Sequence, residues 1–530
     1  MNFTHFASET VVVVDLGSSY VQILARRIRE SGVYSIVVPH TISTDDLKRL
    51  APKGIVLSGS PASLCKVETA VLCDPKIFDL GIPVLGICYG MQFISHTFGV
   101  AVQPAVRKEF GPVVLELSDI GVKSPLFAGM PRTHQVAMYH SDCVSALPND
   151  FELLASSADC PLSAIKHKSR PIYGVQMHPE IADSTHGKQL FRNFVEKICG
   201  CRCDWTMKRF SEAAIDHFRN EIGKDHVICG LSGGVDSSVV AAILSKAVGK
   251  QLKCIVVDTG LMRKNEIADV MKAFETHFHL DTESIDASGE FLRRLAGVTE
   301  PQEKRKRIGH YFIDVFAEAA KKHKDAKYLA QGTIYPDIIE SGATLDINGV
   351  NLSAKPKATI KLHHNVGGLP EKLNFKLVEP LRELFKDEVR QLGIELGLPA
   401  DFVWRHPFPG PGLGVRCLGE VTKEKLDRLR EADAIVIEEI RNAGIYREMA
   451  QAFVSLLPVK AVGVRDECRT YEDAVAIRCI TTEDFMTAEC YPLPYDLLRK
   501  MSDRIVHEVP GVNRVLYDVS TKPPGTIEWE

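Results

Sequence analysis

A glycine-rich stretch in the middle of the chain has the residue types of a phosphate-binding turn. It runs Leu231-Ser232-Gly233-Gly234-Val235-Asp236-Ser237-Ser238, between a predicted buried strand (226–231) and a predicted helix (238–248). Glycines let backbone N–H groups approach an anion closely, and a helix N-terminus adds positive potential at the same point. No lysine follows these glycines, which disfavours hydrolysis of a terminal phosphate. The alternative is the Gly-rich turn that any doubly wound sheet can need.

A second stretch, far upstream, has the form of a nucleophile elbow with cysteine in place of serine. It runs Gly86-Ile87-Cys88-Tyr89-Gly90 and follows a predicted strand (84–87). Small flanking residues permit the strained turn that exposes the side chain. A helix N-terminus lowers the pKa of a thiol, and the thiolate is the reactive species. Because a single cysteine at a strand end is usually a packing residue, this interpretation needs a partner base.

The partner base is found at Met177-His178-Pro179-Glu180. Pro179 forbids a continuing helix, so we expect His178 and Glu180 on extended backbone, on the same side and about 6.6 Å apart along the strand. A histidine base oriented by a carboxylate and serving a distant cysteine is a Cys–His–Glu triad. The alternative is a solvated turn in which the three residues are incidental.

Composition narrows the class of protein. A chain of 530 residues suggests about three domains. Its hydrophobic content of 45% and charged content of 25% are ordinary for a globular protein, and a net charge of −4 gives no sign of nucleic-acid or anionic-membrane binding. We see no basic leader and no membrane-length apolar run, and 14 scattered cysteines favour reduced thiols, so we expect a cytoplasmic protein. The cluster Cys199, Cys201 and Cys203 lacks the ligand number of a zinc site.

The chain is predicted to hold three segments. The first, 1–203, alternates strands (10–16, 54–57, 84–87, 173–177) with helices such as 20–30 and 186–198. The second, 204–405, has a helix over 205–222 and strands at 226–231, 252–258 and 328–331. Three prolines and three glycines between Arg405 and Gly414 mark the boundary to the third, 406–530, with a helix (423–442) and strands (459–464, 474–480, 514–518). The expected fold class is α/β: two open, mostly parallel-sheet domains followed by an α+β domain.

The cysteine site resembles the class I glutamine amidotransferases. The resemblance implies Cys88 as nucleophile on the glutamine amide, His178 as general base and Glu180 as its orienter. It also implies an oxyanion hole and glutamine pocket formed by Gly59, Ser60, Tyr89, Gln92 and Ser141. Ser60 and Ser141 replace glycines of the usual pattern. Because oxyanion stabilisation needs only a backbone N–H, serine at position 60 is tolerable unless that position requires a positive φ.

The central turn resembles that of the ATP pyrophosphatases, which cut ATP between the α and β phosphates and adenylate a substrate. The resemblance implies an ATP site formed by Ser232, Gly233, Gly234, Val235, Asp236, Ser237, Ser238 and Lys386. Mg²⁺ would accompany the ATP polyphosphate, with Asp236 as the nearest ligand candidate. The run Lys304-Arg305-Lys306-Arg307 is normally a solvated helix face, but near a nucleotide its cations could bind phosphate.

An amidotransferase joined to an ATP pyrophosphatase indicates an amidating synthetase, and four further stretches resemble the GMP synthase family. These are 331–337, His363 to Pro370, Arg405 to Gly414 and the final segment Lys522 to Glu530. The resemblance implies amination of xanthosine monophosphate (XMP) through an adenylated intermediate, with ammonia from glutamine. It implies XMP contacts from Arg305, Lys522 and Glu528, and a homodimer formed by the third domain.

Two other functions compete with this interpretation. Another adenylating amidotransferase, making NAD or a modified pyrimidine, would share both sites, but the segment from Lys522 to Glu530 argues against it. A non-catalytic protein with decayed sites would not be expected to keep Cys88, His178, Glu180 and Asp236. The predicted partners are therefore the small molecules XMP, ATP and glutamine, with neither nucleic acid nor a membrane.

Overall fold

The computed structural model describes residues 7–66, 68, 70–278, 280–323, 325–341, 344–347, 349–353, 375–465, 467–482, 485 and 487–530. The stretch from His363 to Pro370 lies outside these residues. The strands, in chain order, are β1 Thr10–Asp15, β2 Tyr34–Pro39, β3 Gly54–Leu57, β4 Val84–Ile87, β5 Val102–Leu117, β6 Thr133–Val144, β7 Phe151–Ser156, β8 Ala164–His167, β9 Ile172–Val175, β10 His226–Leu231, β11 Leu252–Asp258, β12 Asp281–Asp286, β13 Ala326–Ala330, β14 Thr344–Ile347, β15 Val350–Ser353, β16 Lys376–Val378, β17 Gln451–Arg465, β18 Cys468–Thr481, β19 Glu489–Cys490 and β20 Val512–Tyr517.

The α-helices, in chain order, are α1 Val21–Glu30, α2 Thr44–Leu50, α3 Tyr89–Thr97, α4 Asp119–Lys123, α5 Gly187–Asn193, α6 Met207–Ile222, α7 Val235–Val248, α8 Glu266–Phe278, α9 Ser288–Leu295, α10 Pro301–Lys321, α11 Tyr335–Ser341, α12 Lys386–Glu395, α13 Ala400–Val403, α14 Lys423–Asn442 and α15 Tyr495–Glu508. Helix α5 continues as a π turn over Phe194–Ile198. The helix predicted over 186–198 therefore changes its hydrogen-bonding pattern after Asn193.

The described residues fall into two compact units. One contains those of Met1–Ala213 with Pro336–Ile360, and the other those of Ala214–Tyr335 with Lys361–Glu530. The second unit has a continuous hydrophobic cluster that joins Ile228 on β10, Leu413 after the proline-rich loop and Ile477 on β18. The second and third predicted segments thus share one core in the structure.

The first unit is built on a nine-stranded sheet in the order β2-β1-β3-β4-β9-β8-β7-β5-β6. The neighbouring strands β2, β1, β3, β4 and β9 pair in parallel, and all other pairs in the sheet are antiparallel. Val11, Val12, Val13 and Val14 of β1 are all completely buried, as expected for a parallel strand covered on both faces. The residues of the cysteine site directly follow the carboxyl ends of strands β3, β4 and β9, which lie at the same end of this sheet. The hairpin β14–β15, far along the chain, packs on β2 and α2 of the same unit.

The second unit contains a five-stranded parallel sheet in the order β12-β11-β10-β13-β16. The chain runs outward from β10 through β11 to β12, and then resumes on the other side of β10 with β13. The carboxyl end of β10 is therefore a topological switch point, where open α/β sheets bind ligands. The glycine-rich turn leaves β10 at this end.

A further sheet of the second unit carries the end of the chain. Strands β17 and β18 form a long antiparallel hairpin, β19 pairs with β18, and β20 joins β18 in parallel. Helices α14 and α15 pack against each other and onto this sheet. The observed architecture confirms the predicted fold class: α/β with mostly parallel sheets, followed by mixed strands and helices.

Candidate functional site

Cys88 occupies a strained turn between β4 and α3. Its backbone has φ 51° and ψ −106°, a conformation that costs a non-glycine residue about 1–3 kcal/mol. The neighbouring glycines are required by space, because a Cβ at Gly86 would lie 2.6 Å from the carbonyl of Gly90, and one at Gly90 would lie 2.5 Å from the Leu57 oxygen. The turn places the Cys88 thiol at the start of α3, as the nucleophile-elbow interpretation predicts.

His178 and Glu180 make the contact that the triad interpretation requires, but not on extended backbone. The His178 Nδ1 atom lies 2.8 Å from Glu180 Oε1, and both side chains are almost fully buried. Strand β9 ends at Val175, and the Ile181 N–H donates to the His178 carbonyl at 3.3 Å, which closes a turn. The predicted strand to residue 177 and the predicted extended pair were therefore wrong. Pro179 lies within this turn, where its fixed φ fits a bent chain as well as an extended one.

The surroundings of His178 favour its protonated form. Burial alone would lower the pKa of His178, but Glu180 and Cys88, both close to the ring, together raise that pKa well above its usual value of 6.5. A protonated imidazole beside the nucleophile stabilises a thiolate. The same ring lies edge-on to Tyr20 and Tyr139.

Gly59 and Ser60, predicted for the oxyanion hole, follow β3 directly. A Cβ at Gly59 would lie 3.1 Å from His178 Cε1 and 3.9 Å from Cys88 Cβ, so this backbone borders the nucleophile. Neither Ser60 nor Ser141 is among the described non-glycine residues with positive φ. Serine at these two positions is thus unstrained, and the glycine of the usual pattern is not needed for backbone geometry. The Tyr89 hydroxyl is held by the backbone of Val71.

Gln92 lies one helical turn after Cys88 but already has protein partners. Its Nε2 donates to the Asp142 carbonyl at 2.9 Å and to Gln176 Oε1 at 3.3 Å. Gln176 in turn donates to Cys88 Sγ at 3.4 Å and is completely buried. The sequence interpretation gave Gln176 no role. No local signal singled it out, because residue 176 lies beside residue 88 only through the long-range pairing of β4 with β9.

The glycine-rich turn has the geometry expected of an anion cradle. Gly233 adopts φ 77°, and Gly234 caps α7, which begins at Val235 rather than at the predicted residue 238. Ser237 Oγ accepts from the Ser232 N–H at 3.2 Å and donates to the Gly234 carbonyl at 3.1 Å. The turn is therefore preformed at the positive end of a 14-residue helix.

Lys386 lies at the first position of α12 and reaches the turn. Its ammonium is 2.7 Å from each carboxylate oxygen of Asp236. Carboxylate oxygen is a preferred Mg²⁺ ligand, and Mg²⁺ typically uses one or two carboxylates together with substrate phosphates. Asp236 fits that role provided that Lys386 shifts from one of its oxygens toward a phosphate.

One cavity of about 380 Å³ contains most of the predicted nucleotide residues. The lining includes Ser232 to Asp236, Lys386 and Arg305, with Phe408 and Pro409 from the proline-rich loop. Arg405 and His406 also line it, and burial lowers the pKa of His406 to about 4, so that His406 stays neutral. The volume is typical of a small-molecule site.

Lys522 and Glu528, predicted to contact XMP, do not line this cavity. Lys522 Nζ donates to the Phe485 carbonyl at 2.6 Å. Glu528 forms a two-pronged ion pair with the fully buried Arg416, at 2.9 and 3.1 Å. The end of the chain nevertheless touches the cavity wall, because Arg305 also bonds the Glu530 carbonyl.

Lys304 departs from the expected solvated helix face. It is completely buried, and its ammonium donates to Glu530 Oε2 at 2.5 Å and to the Cys417 carbonyl at 2.8 Å. Three buried cations, Lys304, Arg416 and Arg478, therefore hold the last residues of the chain, and Arg478 donates to the carbonyls of Ser520, Thr526 and Ile527. Sequence reasoning missed Arg416 and Arg478, which no motif singled out.

Comparison with known proteins shows similarity along the whole chain. Family models match three parts of the chain: Glutamine amidotransferase class-I over residues 12–198, NAD synthase over 209–303 and GMP synthase C terminal domain over 438–529. The chain is 51% identical over 522 residues to the glutamine-hydrolysing GMP synthase of Syntrophomonas wolfei, covering 98% of this chain and 99% of that protein. It is 50% identical over 526 residues to that of Exiguobacterium sibiricum, covering 99% of each.

The fold and the two sites define a glutamine amidotransferase joined to an ATP-dependent synthetase of the pyrophosphatase type. Identity of about half the residues over nearly the whole length is far more specific than either site alone. The chain belongs to the family of glutamine-hydrolysing GMP synthases. No helix in the described part of the chain is long and apolar enough to cross a membrane.

Proposed function

We propose that the protein converts XMP, ATP, glutamine and water to GMP, AMP, pyrophosphate and glutamate. The observation that carries this proposal is the single cavity in which the glycine-rich turn, Lys386 and Arg305 meet. Adenylation requires two nucleotides side by side, and this cavity joins the residues predicted for ATP with one predicted for XMP. The family membership of the whole chain supports the same reaction.

In the first unit, Cys88 attacks the amide carbon of glutamine and forms a glutamyl thioester. The protonated His178 gives its proton to the leaving nitrogen, so ammonia departs, and Glu180 holds the imidazole in place. The oxyanion is stabilised by backbone N–H groups of Gly59 or Ser60 and of Tyr89. Water then attacks the thioester with His178 as base, which releases glutamate and restores the thiol.

In the second unit, the turn from Ser232 to Ser238 binds the ATP phosphates. The C2 oxygen of XMP attacks the α-phosphorus, and the bond to the pyrophosphate oxygen breaks. Ammonia then attacks C2, and AMP leaves with the former C2 oxygen. Lys386 and Arg305 supply the positive charge that these anionic groups need. Mg²⁺ held by Asp236 would supply further charge neutralisation on the polyphosphate.

We propose three functional segments, 1–203, 204–405 and 406–530, and a homodimer formed by the third. An apolar surface on the β17–β18 hairpin supports this assembly. Val462, Val464 and Tyr471 are 50%, 74% and 62% exposed, and Val462 lies directly opposite Tyr471 in the hairpin. Exposed apolar side chains grouped on one strand pair commonly mark a protein interface.

The proposed reaction is tested by incubating the purified protein with XMP, ATP, Mg²⁺ and either glutamine or ammonium, and by following AMP and GMP. Equal amounts of AMP and GMP are expected with both nitrogen sources. Replacing XMP by nicotinate adenine dinucleotide tests the competing NAD synthetase activity, for which no product is expected. Formation of NAD, or AMP release that needs no XMP, would overturn the proposal.

A further inference from the structure

A buried carboxylate–imidazole pair lies beside the glutamine site but outside the triad. Glu109 of β5 and His140 of β6 are directly opposite each other in the antiparallel pair, and Glu109 Oε2 is 2.9 Å from His140 Nε2. Their side chains are 5% and 1% exposed. Ser157 Oγ donates to the other Glu109 oxygen at 2.8 Å. Burying two titratable groups carries a desolvation penalty, so a pair buried this deeply beside a reactive thiol calls for a functional explanation.

The pair is connected to the nucleophile by a chain of hydrogen bonds. The second ring nitrogen of His140, Nδ1, lies 3.1 Å from the Asp142 carbonyl. The same carbonyl accepts from Gln92 Nε2, and Gln92 and Gln176 then lead to Cys88 Sγ. Between these points the carbonyl of Tyr139 faces Cys88 Sγ at 3.8 Å. Residues 139–142 of β6 therefore form a wall of the pocket beside the thiol, and we call them the β6 wall.

Hydrogen bonding fixes where the protons of this pair must be. A carbonyl only accepts, so His140 Nδ1 carries a proton toward Asp142. One further proton is then shared between His140 Nε2 and Glu109 Oε2, since two lone pairs cannot face each other at 2.9 Å. The imidazole ring cannot rotate without breaking both of its hydrogen bonds.

The strand itself is irregular at this point, which explains why it needs a brace. The register of β5 against β6 shifts between Pro104 and Glu109, so four residues of β5 stand opposite Ser141 alone. A bulge of this kind leaves backbone groups without their ladder partners. The side chains of His140 and Glu109 supply bonds where the strand pairing is interrupted.

We propose that Glu109 and His140 are positioning residues that fix the β6 wall for recognition of glutamine. The inference rests on the proposed role of Cys88 as glutaminase nucleophile. Neither residue touches the reacting atoms, so their loss should weaken glutamine binding without removing the reactivity of the thiol. The expected signature is a raised KM for glutamine with little change in the intrinsic reactivity of Cys88.

A metal site is the competing interpretation of the same residues. Ligand atoms of Glu109, His140 and Cys160 all lie within 4.8 Å of one another. Both oxygens of Glu109 and both nitrogens of His140 already have protein partners. We therefore favour a hydrogen-bonded brace that needs no ion.

The test compares Glu109→Leu with Glu109→Gln in the full-length protein. A glutamine amide can donate to His140 Nε2 and accept from Ser157, so Glu109→Gln should preserve the brace, whereas leucine cannot. We expect Glu109→Leu to raise the KM for glutamine roughly ten- to a hundredfold, the loss of one or two charge-assisted hydrogen bonds. His134→Asn is the matched control, a buried histidine on the same strand that bonds the Pro131 carbonyl.

Three further readouts separate positioning from a general loss of structure. Ammonia-dependent GMP formation should be unchanged in all variants. Alkylation of Cys88 by iodoacetamide should keep its wild-type rate, while inactivation by a glutamine-like chloroketone should slow in Glu109→Leu. If Glu109→Leu does not fold, Ser157→Ala should raise the KM for glutamine in the same direction and by a smaller factor.

Several results would overturn the inference. An unchanged KM in both Glu109→Leu and Ser157→Ala would do so, as would equal slowing of both alkylating reagents. Stoichiometric zinc in the purified protein, lost in Glu109→Leu and Glu109→Gln alike, would replace the brace by a metal site. Absence of glutamine hydrolysis in the wild-type protein would instead contradict the proposed function, which keeps the two failures distinct.

Discussion

Lys386 and Asp236, 150 residues apart in the chain, form a two-pronged ion pair in the wall of the nucleotide cavity. The ammonium lies 2.7 Å from both oxygens of the carboxylate, and the two side chains are 37% and 30% exposed. The pair joins the glycine-rich turn to the N-terminus of α12. Since both residues line the cavity, an incoming polyphosphate competes with Asp236 for the lysine, while a divalent cation competes with Lys386 for the carboxylate.

Asp236→Ala is expected to abolish GMP formation with glutamine and with ammonia, because adenylation precedes both uses of nitrogen. AMP release in the presence of XMP measures the effect directly. Asp225→Ala is the matched control, since Asp225 forms a similar 2.8 Å ion pair with Lys327 in the same unit but lies outside the cavity. Wild-type AMP release by Asp236→Ala would show that the turn does not bind ATP as proposed.

Cys88→Ala is expected to remove glutamine-dependent synthesis and to leave ammonia-dependent synthesis near the wild-type rate. The reason is that the thiol belongs to the first unit, whereas the nucleotide cavity belongs to the second. Parallel assays with glutamine and with ammonium at one XMP concentration check this. The buried thiol of Cys73, with a pKa raised to about 12 by burial, gives a control variant, Cys73→Ala. Equal loss with both nitrogen sources would contradict a two-site enzyme.

Glu180→Gln is expected to shift the pH dependence of glutamine hydrolysis. Glu180 raises the pKa of His178 against the opposing effect of burial, so its neutralisation lowers that pKa. His178 then loses its proton at a lower pH. The alkaline limit of glutamine hydrolysis, which depends on the protonated imidazole, moves to lower pH with it. A profile of kcat/KM for glutamine between about pH 6 and 10 measures the shift. An alkaline limit that stays in place would show that Glu180 does not tune His178.

The folded state should show the same linkage. Because the pKa of His178 is raised on folding, its stabilising contribution is fully present below the unfolded value of 6.5 and is lost as pH rises through the folded pKa. Denaturant unfolding of Glu180→Gln and of the wild-type protein should therefore differ more at about pH 6 than at about pH 10. A difference that does not depend on pH would point to lost packing instead.

Local features of the fold were predictable from the sequence. Strands β3, β4, β10 and β11 and helix α14 begin and end at the predicted residues, because apolar runs, glycines and the Thr422 cap are all local signals. The contact of His178 with Glu180 was also predicted, although the turn that makes it was not. A single proline forbids a helix but does not decide between an extended strand and a turn, since both satisfy its φ.

Long-range pairings could not be predicted in this way. The family resemblance placed Lys386 in the same site as Asp236, but nothing near Glu528 indicates that Arg416 will be its partner, since any of the 64 lysines and arginines is chemically suitable. The brace between Glu109 and His140 depends on strand register, which a bulge in β5 shifts. The shared core of the second and third segments depends on packing across the whole second unit. These features are set by topology, which short-range patterns do not encode.

The end of the chain offers the last prediction, a contrast between Lys522 and Glu528. Lys522 is half-buried and donates one hydrogen bond to a carbonyl, so its removal should cost little stability. Glu528 neutralises Arg416, which is completely buried, so Glu528→Ala leaves a buried cation unpaired at a cost of about 3–5 kcal/mol. If Lys522 contacts the XMP phosphate, as the family resemblance implies, Lys522→Ala should raise the KM for XMP roughly tenfold or more with an unchanged unfolding midpoint. Glu528→Ala should raise that KM and also lower the midpoint, while basal glutamine hydrolysis survives in both.

Thermal unfolding and XMP titrations of the two variants, with Thr521→Ala as the control, make the comparison. If Lys522→Ala uses XMP like the wild-type protein and only Glu528→Ala is impaired, the terminal segment acts through stability and not through contact with the nucleotide.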